Sequence, residues 1–435
     1  MNIILLSGGS GKRLWPLSND IRSKQFIKIF KSKDGYESMV QRIYRQIRAV
    51  DPKAEVTIAT SKSQVSAIHN QLGREVGISV EPTRRDTFAA IALATSYLRD
   101  VRGVAEDEAV VVCPVDPYVD DDYFATLKKM CERAQESSAN LILMGIEPTY
   151  PSEKYGYIKP VTKDGVTSYE FKEKPDAKTA KEYIDAGALW NGGVFAYRLS
   201  YVLTRSRELL GTDSYEELFG NYANLEKISF DYAVVEAETN IEVVNYSGTW
   251  KDLGTWNTLT EAMEEDAIGD VRMNETCENV HVVNELGVPI LVMGGRDMVI
   301  SASPQGILVS DKEQSSYIKP FVDTIDQRIM FAEKSWGSYR VLDVGDSSVT
   351  VKVTLNPGHK MNYHSHDKRD EIWNVVKGEG RTIVDGMEQN VSAGDVITMS
   401  AGCRHTIIAD TELQLIEVQL GNEISVEDKH KYELE

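Results

Sequence analysis

Ile3 to Leu6 is a short run of branched aliphatic side chains, and it leads almost directly into Gly8-Gly9-Ser10-Gly11. Such a run reads as a buried parallel strand, the kind found at the centre of an α/β sheet. Glycines at its end permit positive φ and let backbone N–H groups approach a polyanion closely. Arg13 adds a planar fork suited to phosphate oxygens, and Lys24 adds a mobile point charge. Residues 1–30 hold five cations (Lys12, Arg13, Arg22, Lys24, Lys28) against one acid, Asp20, in a chain whose net charge is −19. This local reversal of sign reads as a cradle for a nucleoside triphosphate. It is neither G-x-x-x-x-G-K-[ST] nor the dinucleotide pattern G-x-G-x-x-G. A glycine turn alone is equally a tight β–α connection.

At 435 residues the chain is long enough for two or three domains. Its 42% hydrophobic and 26% charged residues are those of an ordinary globular protein. No apolar run approaches the ~20 residues that span a bilayer. A strand leading straight into a phosphate loop is not a signal peptide. Cys113, Cys131, Cys277 and Cys403 are scattered without CxxC spacing, as expected of reduced thiols in a cytoplasmic protein. The overall acidity argues against nucleic acid or an anionic membrane as partner. Sequence leaves a homo-oligomer open.

Up to about residue 265, aliphatic runs alternate with helical patterns. AEVTIAT, EAVVVCPVD and ANLILMGIEP read as strands; DTFAAIALATSYLRD and DDYFATLKKMCERAQESS read as helices. This predicts an α/β, Rossmann-like domain over 1–265, with a mostly parallel mixed sheet binding ligands at its carboxyl edge. Short β runs punctuated by Gly, Asn and Pro predict a small all-β, β-helix-like connector over 266–333. Strands and Gly-rich turns then predict a β-barrel over 334–435. The terminal ISVEDKHKYELE is expected to be helical or frayed.

GGxGxRLxPL followed by Lys24, Gln25 and Phe26 resembles the sugar-1-phosphate nucleotidyltransferases, and among them the mannose-1-phosphate guanylyltransferases. VCPVD, YGYI, FKEKP, LWNGGVF, FDYA and GTWKDLGTW continue the resemblance in the same order. It implies a GTP site built from Leu6, Gly8, Gly9, Gly11, Lys12, Arg13, Glu81 and Arg85. Glu81, in EPTRRDT, would accept from the guanine N1–H and amino group. It implies Mg²⁺ on Asp116 and Asp252, since that ion takes a few carboxylates together with phosphate oxygens. Taken alone, Asp116 reads equally as a turn residue before Pro117, and Glu81 as a solvated loop acid. Gly156, Tyr157, Glu173, Lys174, Asn191 and Asp231 would bind the sugar phosphate, with Gly192-Gly193 leaving room for the ring. Arg13, Lys24, Asp116, Lys174 and Asp252 would then be the catalytic set. The implied reaction joins GTP and a mannose-like sugar 1-phosphate. Alternatives are another sugar or base, or a non-catalytic subunit that senses nucleotide sugars.

In the C-terminal part, G-x5-HxH-x4-E-x6-G (Gly358 to Gly378) and G-x5-S-x-G-x2-H (Gly394 to His405) look like a cupin. His364, His366, Glu371 and His405 make an N₃O set suited to Zn²⁺, Mn²⁺, Fe²⁺ or Ni²⁺. Relatives carry such a cupin as a phosphomannose isomerase with the pattern QxHxHRxEHW. Here Lys368 stands at a histidine position, Ile372 replaces another, and Lys431 is the nearest match to a C-terminal arginine. A bifunctional isomerase and a metal-binding or purely structural cupin both remain open.

Overall fold

The computed structural model describes residues 1–8, 11–19, 21–163, 166–325 and 328–434. The chain divides into two compact units, one of residues 1–10, 24–65 and 72–264, the other of 11–23, 66–71 and 265–435.

The first unit is built on a nine-stranded mixed sheet. Its strands are β1 (Asn2–Ser7), β2 (Glu55–Ser61), β3 (Gly77–Glu81), β4 (Ala109–Pro114), β5 (Leu141–Ile146), β6 (Gly156–Lys163), β7 (Val166–Lys172), β8 (Leu189–Arg198) and β9 (Ile241–Tyr246). The order runs β7-β6-β8-β4-β1-β2-β3, with β5 paired to both β8 and β9. β1 lies parallel to β2 and β4, and β8 runs antiparallel to β4, β5 and β6. Ile3, Ile4, Leu5 and the valines of β4 are fully buried, as a central strand covered on both faces requires. The helices Asp86–Asp100 and Asp121–Glu136 form where the 3.6-residue patterns place them. In the first, ten residues from Phe88 to Leu98 are buried, so its alanine-rich composition serves close packing as well as helix propensity.

In the second unit, Ala267–Ile268, His281–Asn284 and Met298–Ser303 stack as parallel strands, with Gly306–Asp311 antiparallel at the edge. Val271–Met273 and Ile290–Val292 form a second parallel pair, giving the β-helix-like connector. Its core is small: Val280, Val282 and Val292. Beyond it, six- and five-stranded antiparallel sheets make up the cupin around Val353, Leu355, Trp373, Ile407 and Leu415. Ser348–Leu355 alternates strictly between buried and half-buried positions, the mark of a strand with one face on a core.

The terminal segment differs from expectation. His430–Tyr432 is neither helical nor frayed but a strand antiparallel to Tyr363–Ser365. Tyr432 stacks edge-on with Tyr363 at 6.3 Å, and Arg404 stands 4.1 Å over its ring, so aromatic packing holds a segment that looked merely charged. All four cysteines are free. Among the described residues no helix is long and apolar enough to cross a membrane.

Candidate active site and metal centre

In the first unit, Asp116 lies two residues beyond the end of β4, and Asp252 ends the short strand Trp250–Asp252, which pairs with Pro117–Val119 in register Asp252↔Pro117. This antiparallel pairing brings the two carboxylates to one place. Lys24 lies between them, with Nζ 3.1 Å from Asp116 Oδ2 and 3.7 Å from Asp252 Oδ1. Both acids are about two-fifths exposed, so oxygen donors on a shared positive centre stand open to solvent. That donor set fits a hard divalent cation keeping water or phosphate oxygens in its other positions. Under the preceding strand end, Gln25 Nε2 donates to Ser7 Oγ (3.0 Å), and Gln64 Oε1 accepts from Ser7 Oγ and Thr60 Oγ1.

A second group gathers Gly156, Glu173, Lys174, Asn191 and Asp231. A Cβ on Gly156 would stand 2.6 Å from Glu173 Oε2 and 2.8 Å from the Phe171 ring, so only glycine lets Glu173 lie against β6. Lys174 is in the left-handed region, φ +43, uncommon for a long side chain, and its ammonium pairs with Glu173. That pairing raises the ammonium's pKa. Asn191 Nδ2 donates to Asp231 Oδ1 at 2.6 Å, and its Oδ1 accepts from Gly193 N. Burial pushes the Asp231 carboxyl up to about 6 against the Asn191 bond, with Glu173 adding to the shift. Tyr157 is fully buried and faces the core; its hydroxyl bonds Ser152 and accepts from Trp190 Nε1, a supporting position rather than a pocket wall. The two glycines at 192 and 193 differ. Ile146 Cδ1 fills the space at Gly192, where a Cβ would meet it at 2.5 Å, whereas nothing lies within 4 Å of where a Gly193 Cβ would be, and Gly193 has φ +67.

Glu81 is not a solvated acid. It accepts from Tyr222 Oη at 2.7 Å, and burial raises its pKa. Arg85 donates to the Ala223 carbonyl. Leu6 is in β1, half-buried. Gly8 has no positive φ, and nothing lies within 4 Å of where its Cβ would be, so the space there is open. Gly9 lies outside the described residues. Gly11, Lys12 and Arg13 form a 3₁₀ turn in the second unit, with Arg13 exposed and Lys12 paired to Asp323 at 2.8 Å.

Sequence reasoning passed over the aromatic side chains. Tyr155 stands edge-on to Trp190 (5.0 Å) and Trp250 (5.1 Å), tying together the segments that carry Gly156, Asn191 and Asp252. The available signal was position, since each of the three is within two residues of a candidate.

In the cupin, Tyr363–Ser365 pairs with His405–Ala409 in register His364↔His405, and Glu371 comes from the neighbouring sheet. One ligand atom from each of His364, His366, Glu371 and His405 lies within 4.8 Å of the others, and all four residues are buried. His364 Nδ1 faces the Asn362 carbonyl (2.6 Å), His405 Nδ1 that of Cys403 (3.0 Å), and His366 Nδ1 that of Asp428. A carbonyl only accepts, so each Nδ1 carries the proton and each Nε2 keeps its lone pair. His405 Nε2 is buried without a hydrogen bond, although Glu371 Oε2 is 3.2 Å away. Burial holds His364 neutral, its pKa lowered to about 2. Trp373 Nε1 donates to Glu371 Oε2 at 3.2 Å, which favours the ionised carboxylate. An orphaned, lone-pair-bearing imidazole beside an ionised carboxylate fits a transition-metal ion. Arg369 also reaches in, donating to Glu371 Oε1 (2.9 Å) and facing His366 Nε2 at 3.0 Å. Lys368 points away, paired with Glu423.

Comparison with known proteins agrees with this architecture. Residues 2–268 match the nucleotidyl transferase family model, and residues 325–433 match that of the mannose-6-phosphate isomerase C-terminal domain. The chain therefore belongs to the nucleotidyl transferase family, with an isomerase-type cupin attached. It is 29% identical to the xanthan biosynthesis protein XanB of Xanthomonas campestris, over 99% of this chain and 97% of that one. It is 27% identical to the mannose-1-phosphate guanylyltransferase of Escherichia coli K12, covering 98% and 96%. A solved structure described as mannose-1-phosphate geranyltransferase from Thermus thermophilus matches with TM-score 0.62 at 28% identity, over 74% of this chain and 98% of that one.

Proposed function

We propose that this protein transfers the guanylyl group of GTP to α-D-mannose 1-phosphate, giving GDP-mannose and pyrophosphate, in the cytoplasm. The observation that supports it best is the convergence of Asp116 and Asp252 on the Lys24 ammonium at 3.1 and 3.7 Å. A phosphate oxygen of the sugar 1-phosphate attacks the α-phosphorus, a new P–O bond forms, the α–β anhydride breaks, and pyrophosphate leaves. The nucleophile is already anionic, so no general base is needed. The obstacle is repulsion between two phosphate anions at roughly 3 Å, which alignment and fixed positive charge overcome. Lys24 and Lys174 screen the approach, while Arg13 and the loop amides hold the outer phosphates. Asp116 and Asp252 would hold Mg²⁺, which when bound neutralises charge on the α-phosphate. Glu173, Asn191 and Asp231 orient the sugar hydroxyls, and Glu81 and Arg85 contribute to base recognition. A pyrophosphate-release assay over four nucleoside triphosphates and a panel of sugar 1-phosphates tests this. Preference for any pair other than GTP and mannose 1-phosphate would overturn it.

For the cupin we propose one Zn²⁺, Mn²⁺, Fe²⁺ or Ni²⁺ on His364, His366, Glu371 and His405. Interconversion of fructose 6-phosphate and mannose 6-phosphate is expected to be slow or absent. Lys368 occupies a ligand position but is tied to Glu423, and Lys431 lacks the fork of a guanidinium. Brisk, metal-dependent isomerisation would overturn that expectation.

A further inference from the structure

Residues 11–23 leave the sheet domain after β1 and return to it at Lys24, yet their own contacts are with the connector and the start of the cupin. The Trp15 indole lies against Gly306, where a Cβ would stand 2.4 Å from its Cζ2. Ser303 Oγ donates to the Pro16 carbonyl at 2.7 Å. Asn19 closes the end of the loop, its Oδ1 accepting from the amides of Ile21 (2.9 Å) and Arg22 (2.8 Å). Arg22 is then fastened by two parallel bonds, Nη1 to Glu285 Oε2 at 2.7 Å and Nη2 to Oε1 at 2.8 Å. The side chains of this pair are only 15% and 24% exposed, and the guanidinium also stands 5.3 Å over the Phe331 ring.

We propose that Glu285, a connector residue beyond the last nucleotidyltransferase motif, is a positioning residue for guanylyl transfer. It acts through Arg22, fixing the shape of the loop that presents Lys12 and Arg13 to the triphosphate. Glu285 can act so only if that loop binds GTP, as proposed above. The physical need is plain. A loop that becomes ordered only when a polyanion arrives loses its conformational freedom at that moment, which weakens binding. A two-pronged, partly desolvated carboxylate–guanidinium pair orders the loop beforehand. The effect belongs in GTP binding and not in the chemical step, since Glu285 touches no substrate.

Steady-state kinetics of the full-length protein at saturating Mg²⁺ test this. Glu285→Gln should raise KM for GTP about tenfold while leaving kcat and KM for mannose 1-phosphate within about twofold. The exchange of Arg22→Glu with Glu285→Arg should recover most of the loss. An unchanged KM for GTP overturns the proposal. So does an equal loss in all three parameters, which general destabilisation would give. If Glu285→Gln does not fold, Arg22→Lys keeps the charge without the two-pronged geometry, and the same selective rise is expected at about threefold. Arg13→Ala separates the two ideas. If it leaves KM for GTP unchanged, the loop is not the GTP site. If it raises KM and Glu285→Gln does not, only the positioning role falls.

Discussion

The Lys24–Asp116–Asp252 cluster and the cupin cluster are both assemblies of charge, built in opposite ways. In the first, the acids are about two-fifths exposed and share one ammonium that is itself 23% exposed. In the second, His366, Glu371 and His405 have side chains 2% exposed, and three backbone carbonyls fix the imidazole tautomers. Water screens the open cluster, whose ion pairs are worth only about 0–1 kcal/mol each, so it rearranges cheaply around an incoming polyanion. The dry cluster has no such freedom, because an unpaired buried charge costs several kcal/mol. Substitution in the open cluster should therefore cost activity and spare stability. Substitution in the closed one should cost ligand binding and stability together.

The largest effect is expected at Asp252. Asp252→Ala should lower kcat for pyrophosphate release at least ~10²-fold, the scale of losing one preorganised electrostatic contact, with little change in melting temperature. Full turnover of the unmodified enzyme in excess chelator would remove the two-aspartate assignment. Next is the joint change His364→Ala with His366→Ala. It should abolish binding of one transition-metal ion per chain, measured after reconstitution, and lower the melting temperature, while guanylyl transfer stays within about twofold. An unmodified chain that takes up no metal after reconstitution would reject the ligand set.

These contrasts were unevenly visible in the sequence. The α/β sheet, both helices and the grouping of His364, His366, Glu371 and His405 were legible because periodicity and HxH spacing are local signals. The pairing Asp252↔Pro117 that delivers Asp252 to Asp116 was not, since β register is a long-range choice. Tyr222 on Glu81 and Glu285 on Arg22 are each more than a hundred residues from their partners, and nothing around either residue announces the contact. Tyr157 shows the opposite failure. It sits inside a motif and was assigned to the pocket, but alternation along β6 turns it into the core. The terminal segment misled for a similar reason, because its charges hid the Tyr432–Tyr363 contact that makes it a strand.

A smaller effect tests the open region further. Lys174 is held in a left-handed backbone conformation with its ammonium on Glu173. Lys174→Ala should raise KM for mannose 1-phosphate about tenfold and leave KM for GTP within about twofold, as loss of a contact to one substrate does. A change in stability alone would remove Lys174 from the sugar-phosphate site.

The smallest effect is at Asp231, an acid of the open region that is itself buried. Burial raises its carboxyl to about 6, opposed by the Asn191 bond and reinforced by Glu173. A carboxyl whose folded pKa lies above its ordinary value contributes stability that is complete below about pH 4 and lost as pH rises through about 6. Above that pH the folded protein holds a poorly solvated carboxylate, a cost that Asp231→Asn removes while keeping an oxygen for Asn191 Nδ2. The melting temperature of the variant relative to the unmodified protein should therefore rise by about 2–4 °C between pH 5 and pH 7.5. The ionised form is also the better acceptor for a sugar hydroxyl. KM for mannose 1-phosphate should accordingly increase as pH falls through 6 in the unmodified enzyme and stay flat in the variant. A difference in melting temperature that does not change with pH would show that Asp231 is ionised throughout. It would then belong with the solvated charges of its region, and the contrast between the two clusters would be the sharper for it.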